Sequence, residues 1–396
     1  MKLITDTETL AALCAAFARR PYVCVDTEFM RERTYYAQLC LVQLAVGGDD
    51  GPDAGEAAIV DPLAPGIDLA PLYALLAEPG VTKVFHAARQ DVEIFHHEGD
   101  VIPAPLFDTQ VAAMVLGFGD QVGYETLVRK VARVELDKSS RVTDWARRPL
   151  SERQLDYAIG DVTHLRRIYE TLSARLERSG RAGWLAEELA TLNDPATYRN
   201  DPAEAWRRVK ARTANAEALS VVRELARWRE ETAQARDVPR SRLLKDDALA
   251  EIAAAKPRDA EALSKLRMLQ REGRKPETAE EILAAVARGL AVPASERPRP
   301  DVPPRRREGS GAVADLLRVF LKARSDTLGI APKLLASSAD LEALAGEDDP
   351  DVPALHGWRY DAFGRDAERL RDGRLALRAG PKGVEVIETG GDEGAA

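Results

Sequence analysis

At 396 residues, with 45% hydrophobic and 31% charged side chains, the chain has room for about two or three domains with sizeable cores, and its composition excludes a disordered or fibrous protein. No apolar run approaches the roughly eighteen residues of a membrane-spanning helix, and Cys14, Cys24 and Cys40 match no metal-ligand spacing, so free buried thiols in a reducing compartment and no disulfide-linked partner are expected. The net charge of −9 argues against nucleic acid if taken whole, yet residues 1–202 hold 21 Lys+Arg against 31 Asp+Glu, residues 203–292 hold 19 against 15, and residues 293–396 hold 16 against 19. An acidic first part followed by a basic one is compatible with a metal site beside a phosphate-binding surface.

The apolar run 10–18 follows Asp6 and Glu8 and precedes Arg19-Arg20, the reverse of a signal peptide's charge order, so it reads as an amphipathic first helix. Tyr22-Val23-Cys24-Val25-Asp26-Thr27-Glu28-Phe29 then begins as a buried strand bounded by Pro21. Residues i and i+2 of a strand point to one side, so Asp26 and Glu28 converge. Like charges so close disfavour each other's ionised form unless a cation lies between them. Taken alone, D-x-E equally describes a strand that ends in a solvated acidic turn. Residues 37–46 and 57–60 read as two further strands around the Gly/Asp-rich turn 47–55, a meander that starts the sheet antiparallel. A helix over 69–76, a strand over 81–86 and a helix over 87–97 follow. Asp91 falls in that helix's first turn, where the macrodipole alone accounts for an acid. Helices are expected over 109–116, with Asp108 as N-cap, over 124–132, and from Ser151, where Ser151 and Gln154 form a capping box. Tyr157 and Asp161 stand four apart on that last helix and share a face. Strands then helices around one sheet make an α/β (α+β) domain with a mixed sheet.

Beyond Asn200 the composition turns to Ala, Arg, Leu and Glu, with helices over 206–209, 219–233, 245–255, 260–268 and 278–288 around a loop at 236–239. Trp228 has two readings: an aromatic on a basic surface with Arg227, Arg229, Arg240, Arg242 and Lys245, or a core residue beside solvated arginines. Residues 293–311 are Pro/Arg-rich and aperiodic, a linker whose Arg305-Arg306-Arg307 reads as a solvated run. In the helical stretch 312–380, Pro332, Leu334-Leu335 and Leu341 echo Pro239, Leu243-Leu244 and Leu249, which suggests a diverged second copy of the first helical module. Residues 381–396 read as a tail with one short strand over 384–387.

The joint order of D-x-E on a strand, Asp91 in a helix and Tyr157-x-x-x-Asp161 in a late helix resembles the DEDD superfamily of 3′→5′ exonucleases, in its tyrosine subclass. Asp156 occupies the place where the other subclass carries histidine. The resemblance is closer still to the ribonuclease D family, through Val25-Asp26-Thr27-Glu28-Phe29, Phe107-Asp108-Thr109-Gln110, Thr143-Asp144-Trp145 with Arg148-Pro149-Leu150, and Leu155-Asp156-Tyr157-Ala158-Ile159-Gly160-Asp161-Val162. Residues after 200 resemble the HRDC module. This implies a ribonuclease H-like exonuclease domain over 1–200 followed by two all-α helical modules, an HRDC domain over 203–292 and an HRDC-like one over 312–380. It also implies two divalent ions, Mg²⁺ or Mn²⁺, the hard cations that four carboxylates suit. Asp26, Glu28 and Asp161 would hold the ion that activates water, Asp26 and Asp91 the ion facing the leaving group, and Tyr157 would orient the attacking water. His86, His96 and His97 are left out of the metal set. The implied activity removes nucleoside 5′-monophosphates one at a time from RNA 3′ ends, with tRNA precursors as partners, in the cytoplasm and as a monomer. A chain ending near Asn200 is expected to keep cleaving short single-stranded RNA at high metal, provided its helix-facing surface tolerates exposure, and to bind structured RNA more weakly. Two other readings use the same residues: a DNA 3′→5′ exonuclease, and a nucleic-acid-binding scaffold with an inactive exonuclease fold. The repelling carboxylates serve no purpose in a scaffold.

Overall fold

In the computed structural model of the protein, which describes residues 2–136, 143–211, 213, 215–299, 307–381 and 383–389, six strands form one mixed sheet. They are β1 (Lys2–Ile4), β2 (Tyr22–Met30), β3 (Gln38–Ala45), β4 (Ala57–Val60), β5 (Thr82–Phe85) and β6 (Leu106–Asp108), in the order β1-β4-β3-β2-β5-β6. The β2-β3-β4 meander is antiparallel as its short turns dictate, whereas β5 pairs with β2, β6 with β5 and β1 with β4 in parallel. β1 and β6 are three-residue edges, too short for an alternating pattern to announce them. Along β2, Tyr22–Val25 are all buried, and from Asp26 on only Thr27 is. The strand therefore runs through the middle of the sheet and emerges into an open side where its carboxylates begin.

Around the sheet lie α1 (Thr7–Phe17), α2 (Ala70–Ala77), α3 (Arg89–Gly99), α4 (Thr109–Val115), α5 (Tyr124–Leu127), α6 (Glu152–Ser179) and α7 (Ala182–Asn193). The 28-residue α6 starts at the expected capping box and lies across β2, β3 and β4. Val162, Leu165, Ile168, Leu172 and Leu176 form its buried stripe, spaced so that one face meets the sheet along several turns. Cys14, Cys24 and Cys40 are free and buried.

After a 3-10 turn over Pro202–Arg208 come α8 (Ala216–Ala235), α9 (Arg240–Leu243), α10 (Asp246–Ala255), α11 (Ala260–Ser264) and α12 (Pro276–Ala291). Their core, with Val222, Leu225, Trp228, Leu249, Ile252 and Ile282, contains no residue before Ala205. Trp228 is thus the core residue of the two readings above, with its Nε1 donating to Glu281 at 2.9 Å. Arg229 and Arg240 are engaged by Asp246 and Glu230.

The last region comprises α13 (Ser310–Leu328), α14 (Pro332–Leu335), α15 (Ser338–Gly346), α16 (Gly357–Arg359) and α17 (Arg365–Arg371). It ends in an antiparallel hairpin of β7 (Leu375–Gly380) and β8 (Gly383–Glu388). The hairpin differs from the expectation of helix up to 380 and a tail beyond it. The short strand foreseen over 384–387 has a partner, because Leu375 and Leu377 alternate toward the core, a repeat too brief to read as a strand in sequence. Arg305 and Arg306 of the linker, and residues 390–396 of the expected tail, lie outside the described residues. Leu317, Phe320, Leu335, Trp358 and Phe363 join the exonuclease-side residues in one continuous apolar core.

Candidate active site

Asp26 and Glu28 stand on the same side of β2, with the buried Thr27 between them. Asp161 comes to them from α6, and one carboxylate oxygen from each of the three lies within 4.8 Å of the others. Asp91, in the first turn of α3, is buried and stands behind this group rather than in it. Its Oδ1 accepts from the Thr27 hydroxyl at 2.5 Å, so the residue between Asp26 and Glu28 ties α3 to the strand. Tyr157, one turn before Asp161, lines the same cavity of about 530 Å³, and its ring lies 6.1 Å from that of Trp145. All five residues singled out in the sequence thus meet at one end of β2, three in the oxygen cluster, one behind it and one on the cavity wall.

The electrostatics of the cluster are those of crowded carboxyls. Burial, and then the charge of Asp161, pushes the Asp26 carboxyl well above its ordinary range. Burial followed by the charges of Asp26, Asp161 and Asp91 pushes Glu28 up to about 9. Asp91 is raised by burial and by Asp26, with the Thr27 hydrogen bond pulling the other way. Carboxylates in this arrangement share protons or share a cation. Three converging hard oxygens with a fourth carboxylate alongside fit a divalent metal. Gln43, directly across from Asp26 on β3, is fully buried, and neither heteroatom of its amide has a partner among the described residues. An orphaned amide next to the first carboxylate is a further sign that the site is built to be filled.

Neighbouring loops are held by side chains whose role the sequence only half discloses. Asp108 caps α4 as expected, accepting from Gln110 N at 2.7 Å, and it also accepts from Ala87 N and Ala88 N at 3.0 and 2.8 Å. Those amides open the turn between β5 and α3, where Ala87 has φ +61°. Asp108 is therefore a positioning residue for the turn that delivers Asp91. Before α6, Arg148 grips both Asp61 oxygens at 2.7 and 2.8 Å and the carbonyls of Cys40 and Trp145 at 2.7 Å. Gln154 Nε2 donates to Thr143 at 3.1 Å. Loop 143–150 is thereby stitched to the sheet beneath Tyr157.

His86, Tyr124, Glu125 and Thr126 also line the cavity, and the sequence reading gave none of them a role. His86 Nδ1 meets Thr109 Oγ1 at 3.0 Å, and the Tyr124 hydroxyl donates to Gly160 O at 3.0 Å. These contacts join segments far apart in sequence, so no spacing could reveal them. Gln110, another lining residue, was legible as the end of Phe107-Asp108-Thr109-Gln110.

Comparison with known proteins agrees with this geometry. A family model described as 3′-5′ exonuclease matches residues 1–177, and one described as HRDC domain matches residues 218–286. The chain is 54% identical to the ribonuclease D of Jannaschia sp. over 97% of its own length and 99% of that protein. It is 52% identical to the ribonuclease D of Granulibacter bethesdensis over 98% and 97%. Among solved structures, Escherichia coli RNase D, described as an exoribonuclease involved in structured RNA processing, superposes with a TM-score of 0.81 at 30% identity, covering 94% of this chain and 98% of that one.

Proposed function

The chain belongs to the ribonuclease D family and is a 3′-5′ exoribonuclease; from that premise we propose that Asp26, Glu28, Asp91, Tyr157 and Asp161 are its catalytic set. The observation that carries the assignment is the convergence of Asp26, Glu28 and Asp161 oxygens within 4.8 Å at a cavity that Tyr157 also lines. Two divalent ions, Mg²⁺ or Mn²⁺, would be held by the four carboxylates and supply an activated water and charge neutralisation at the scissile phosphate. Asp26, Glu28 and Asp161 would hold the ion that activates water, and Asp26 and Asp91 the ion facing the leaving group, with the Asp91 carboxylate oriented by the Thr27 hydroxyl at 2.5 Å. The Tyr157 phenol, neutral near pH 7, hydrogen-bonds the attacking water and fixes its line of approach. The products are nucleoside 5′-monophosphates released one at a time. The substrates are RNA 3′ ends, those of tRNA precursors among them, and the protein acts in the cytoplasm as a monomer.

The same reading divides the chain into an exonuclease domain (1–200), an HRDC domain (203–292), a linker (293–311), a second, diverged HRDC-like module (312–380) and a tail (381–396). In support, α8, α9 and α10 have 20, 4 and 10 residues and α13, α14 and α15 have 19, 4 and 9, so a long, a very short and a medium helix recur in order.

The test incubates 3′-extended tRNA precursor, unstructured RNA and single-stranded DNA with Mg²⁺, Mn²⁺ or EDTA. RNA should shorten from its 3′ end only with metal, Asp161→Asn should abolish the activity, and Tyr157→Phe should slow single turnovers by about 10²–10⁴-fold. Near wild-type turnover of Asp161→Asn at saturating metal would sink the assignment, and equal cleavage of DNA would broaden the substrate class.

A further inference from the structure

Gln43, in the middle of β3, is fully buried, and among the described residues neither end of its amide has a hydrogen-bond partner. A buried amide left unpaired is costly, and native structures rarely keep one without a use. Gln43 stands directly opposite Asp26 in the antiparallel β2–β3 pair. The two side chains therefore leave the same face of the sheet, with Cβ atoms about 4.5–5.5 Å apart. Its other cross-strand neighbour, on β4, is Ile59. Ile59 packs in one apolar cluster with Ala158 of α6 and with Leu41, two residues before Gln43 and on the same face. Of these neighbours Asp26 alone is polar. Asp26 is placed in the complementary way: its carboxyl takes a hydrogen bond from the Thr27 amide, and no side chain of the described residues donates to it. A donor without an acceptor thus faces a carboxylate without a side-chain donor.

We propose that Gln43 is a positioning residue for the metal site: its Nε2 donates to the Asp26 carboxylate and fixes the orientation in which that carboxylate takes the ions. The proposal rests on the reading of Asp26 as a metal ligand. A carboxylate offers acceptors alone, so the NH₂ end of the amide is the end that faces it. Carboxylates that bind metals are themselves held by outer hydrogen bonds, which set their aim. Gln43 supplies that bond without charge. A Lys or Arg at this point would neutralise Asp26 and compete with the cations for it, whereas a neutral amide leaves the whole negative charge to the ions. Asp91 is held in the same manner, since the Thr27 hydroxyl that donates to it is also a neutral donor. The two ligands that would face the leaving-group ion therefore each have an uncharged orienting partner.

The experiment titrates Mn²⁺ into the full chain without nucleic acid, reads the free ion by electron paramagnetic resonance, and records melting in EDTA on the same preparations. Gln43→Met and Gln43→Leu both remove the donor at similar volume. Each should bind Mn²⁺ about 10- to 100-fold more weakly, the usual range for losing such an outer contact. Each should also melt in EDTA at or above the wild-type temperature, because the unpaired amide is gone. Wild-type Mn²⁺ affinity in both variants would overturn the proposal. A loss confined to one of them would overturn it as well, since packing rather than the hydrogen bond would then be responsible. A lower melting temperature of both in EDTA would mark Gln43 as a structural residue of the metal-free fold and count against it. Asp161→Asn in the same titration keeps this proposal apart from the catalytic assignment. Wild-type affinity in Asp161→Asn would sink the ligand set, whereas a loss there with none in the Gln43 variants would sink the positioning role alone.

Discussion

The two helical regions are attached to the exonuclease part by different physics. The first keeps its own core, and its contacts with the exonuclease part are polar: loop residues Tyr35 and Tyr36 donate their amides to Asp237 at 3.0 Å. The Tyr35 hydroxyl meets Glu230, Gln234 and Arg240. Glu230 is 1% exposed, and Arg240 grips it with two bonds at 2.5 and 2.6 Å. The last region shares one apolar core with the exonuclease part. Trp358 stacks on Trp184 at 4.4 Å, and at Gly117, where φ is +77°, a Cβ would lie 1.9 Å from Gly329 O, so the two backbones touch. A polar latch is specific yet sensitive to charge, whereas a common core melts with what it belongs to. The region next in sequence is therefore the detachable one, and the distant region is the structural one.

The most severe way to strain this contrast is Trp358→Ala. Removing a buried indole costs about 3–5 kcal/mol, and because the core is shared, exonuclease activity and helical signal should be lost at the same, lower denaturant concentration. An exonuclease midpoint left in place would separate the two and break the comparison. Glu230→Ala comes next, at about 2–3 kcal/mol, below the figure for a fully buried pair because Arg240 and Arg208 keep access to water. Its effect should stay local: faster proteolysis between the exonuclease part and α8, with activity on short RNA retained. Global unfolding of this variant would show that the latch is no mere attachment.

The smallest effects are set by pH, and the two sites respond with opposite sign. Burial pushes the Glu230 carboxyl up, but the hydrogen bonds and charges of its Arg and Tyr partners outweigh this and hold it below 4.5. Its contribution is present above pH 4.5 and lost as pH falls through the folded value. Glu28 is raised to about 9 from 4.5, so without metal its protonated form favours folding, and stability is lost as pH rises through that window. In EDTA, Glu28→Gln should melt some 2–4 °C above wild type near pH 9, with the gap closing toward pH 4.5 and shrinking on addition of Mg²⁺. A pH-independent gap would contradict the crowded-carboxylate account.

Most of the site was legible because its chemistry is local. Strand alternation puts Asp26 and Glu28 on one side and helical spacing puts Tyr157 and Asp161 on one face, while their reading as one site came from the resemblance of the joint motif order. The meander and the capped α6 follow from turn and cap residues. What escaped depends on contacts across long stretches of chain. Tyr35 and Glu230, for example, are separated by 195 positions, and neither residue differs from an ordinary surface side chain until the fold joins them. Trp228 was ambiguous for the same reason, since whether an indole faces a core or a solvent groove depends on packing between helices. Cleavage by a chain ending near Asn200 is expected on the proviso that its helix-facing surface tolerates exposure, and the fold shows what that proviso weighs: such a chain would expose the core face that Trp358 and Leu317 cover.

The shared core also bears on how the protein is made. A ribosome delivers Asp26 through Tyr198 early, and the apolar surface they leave open finds its cover only when residues up to Leu375 emerge. At about 5–20 residues per second, that interval is on the order of ten seconds or more. The intervening helical region, with a core of its own, can fold meanwhile as an independent unit. Until the last helices arrive, the nascent nuclease holds its catalytic motifs beside an unfinished apolar flank, a state that invites chaperone binding.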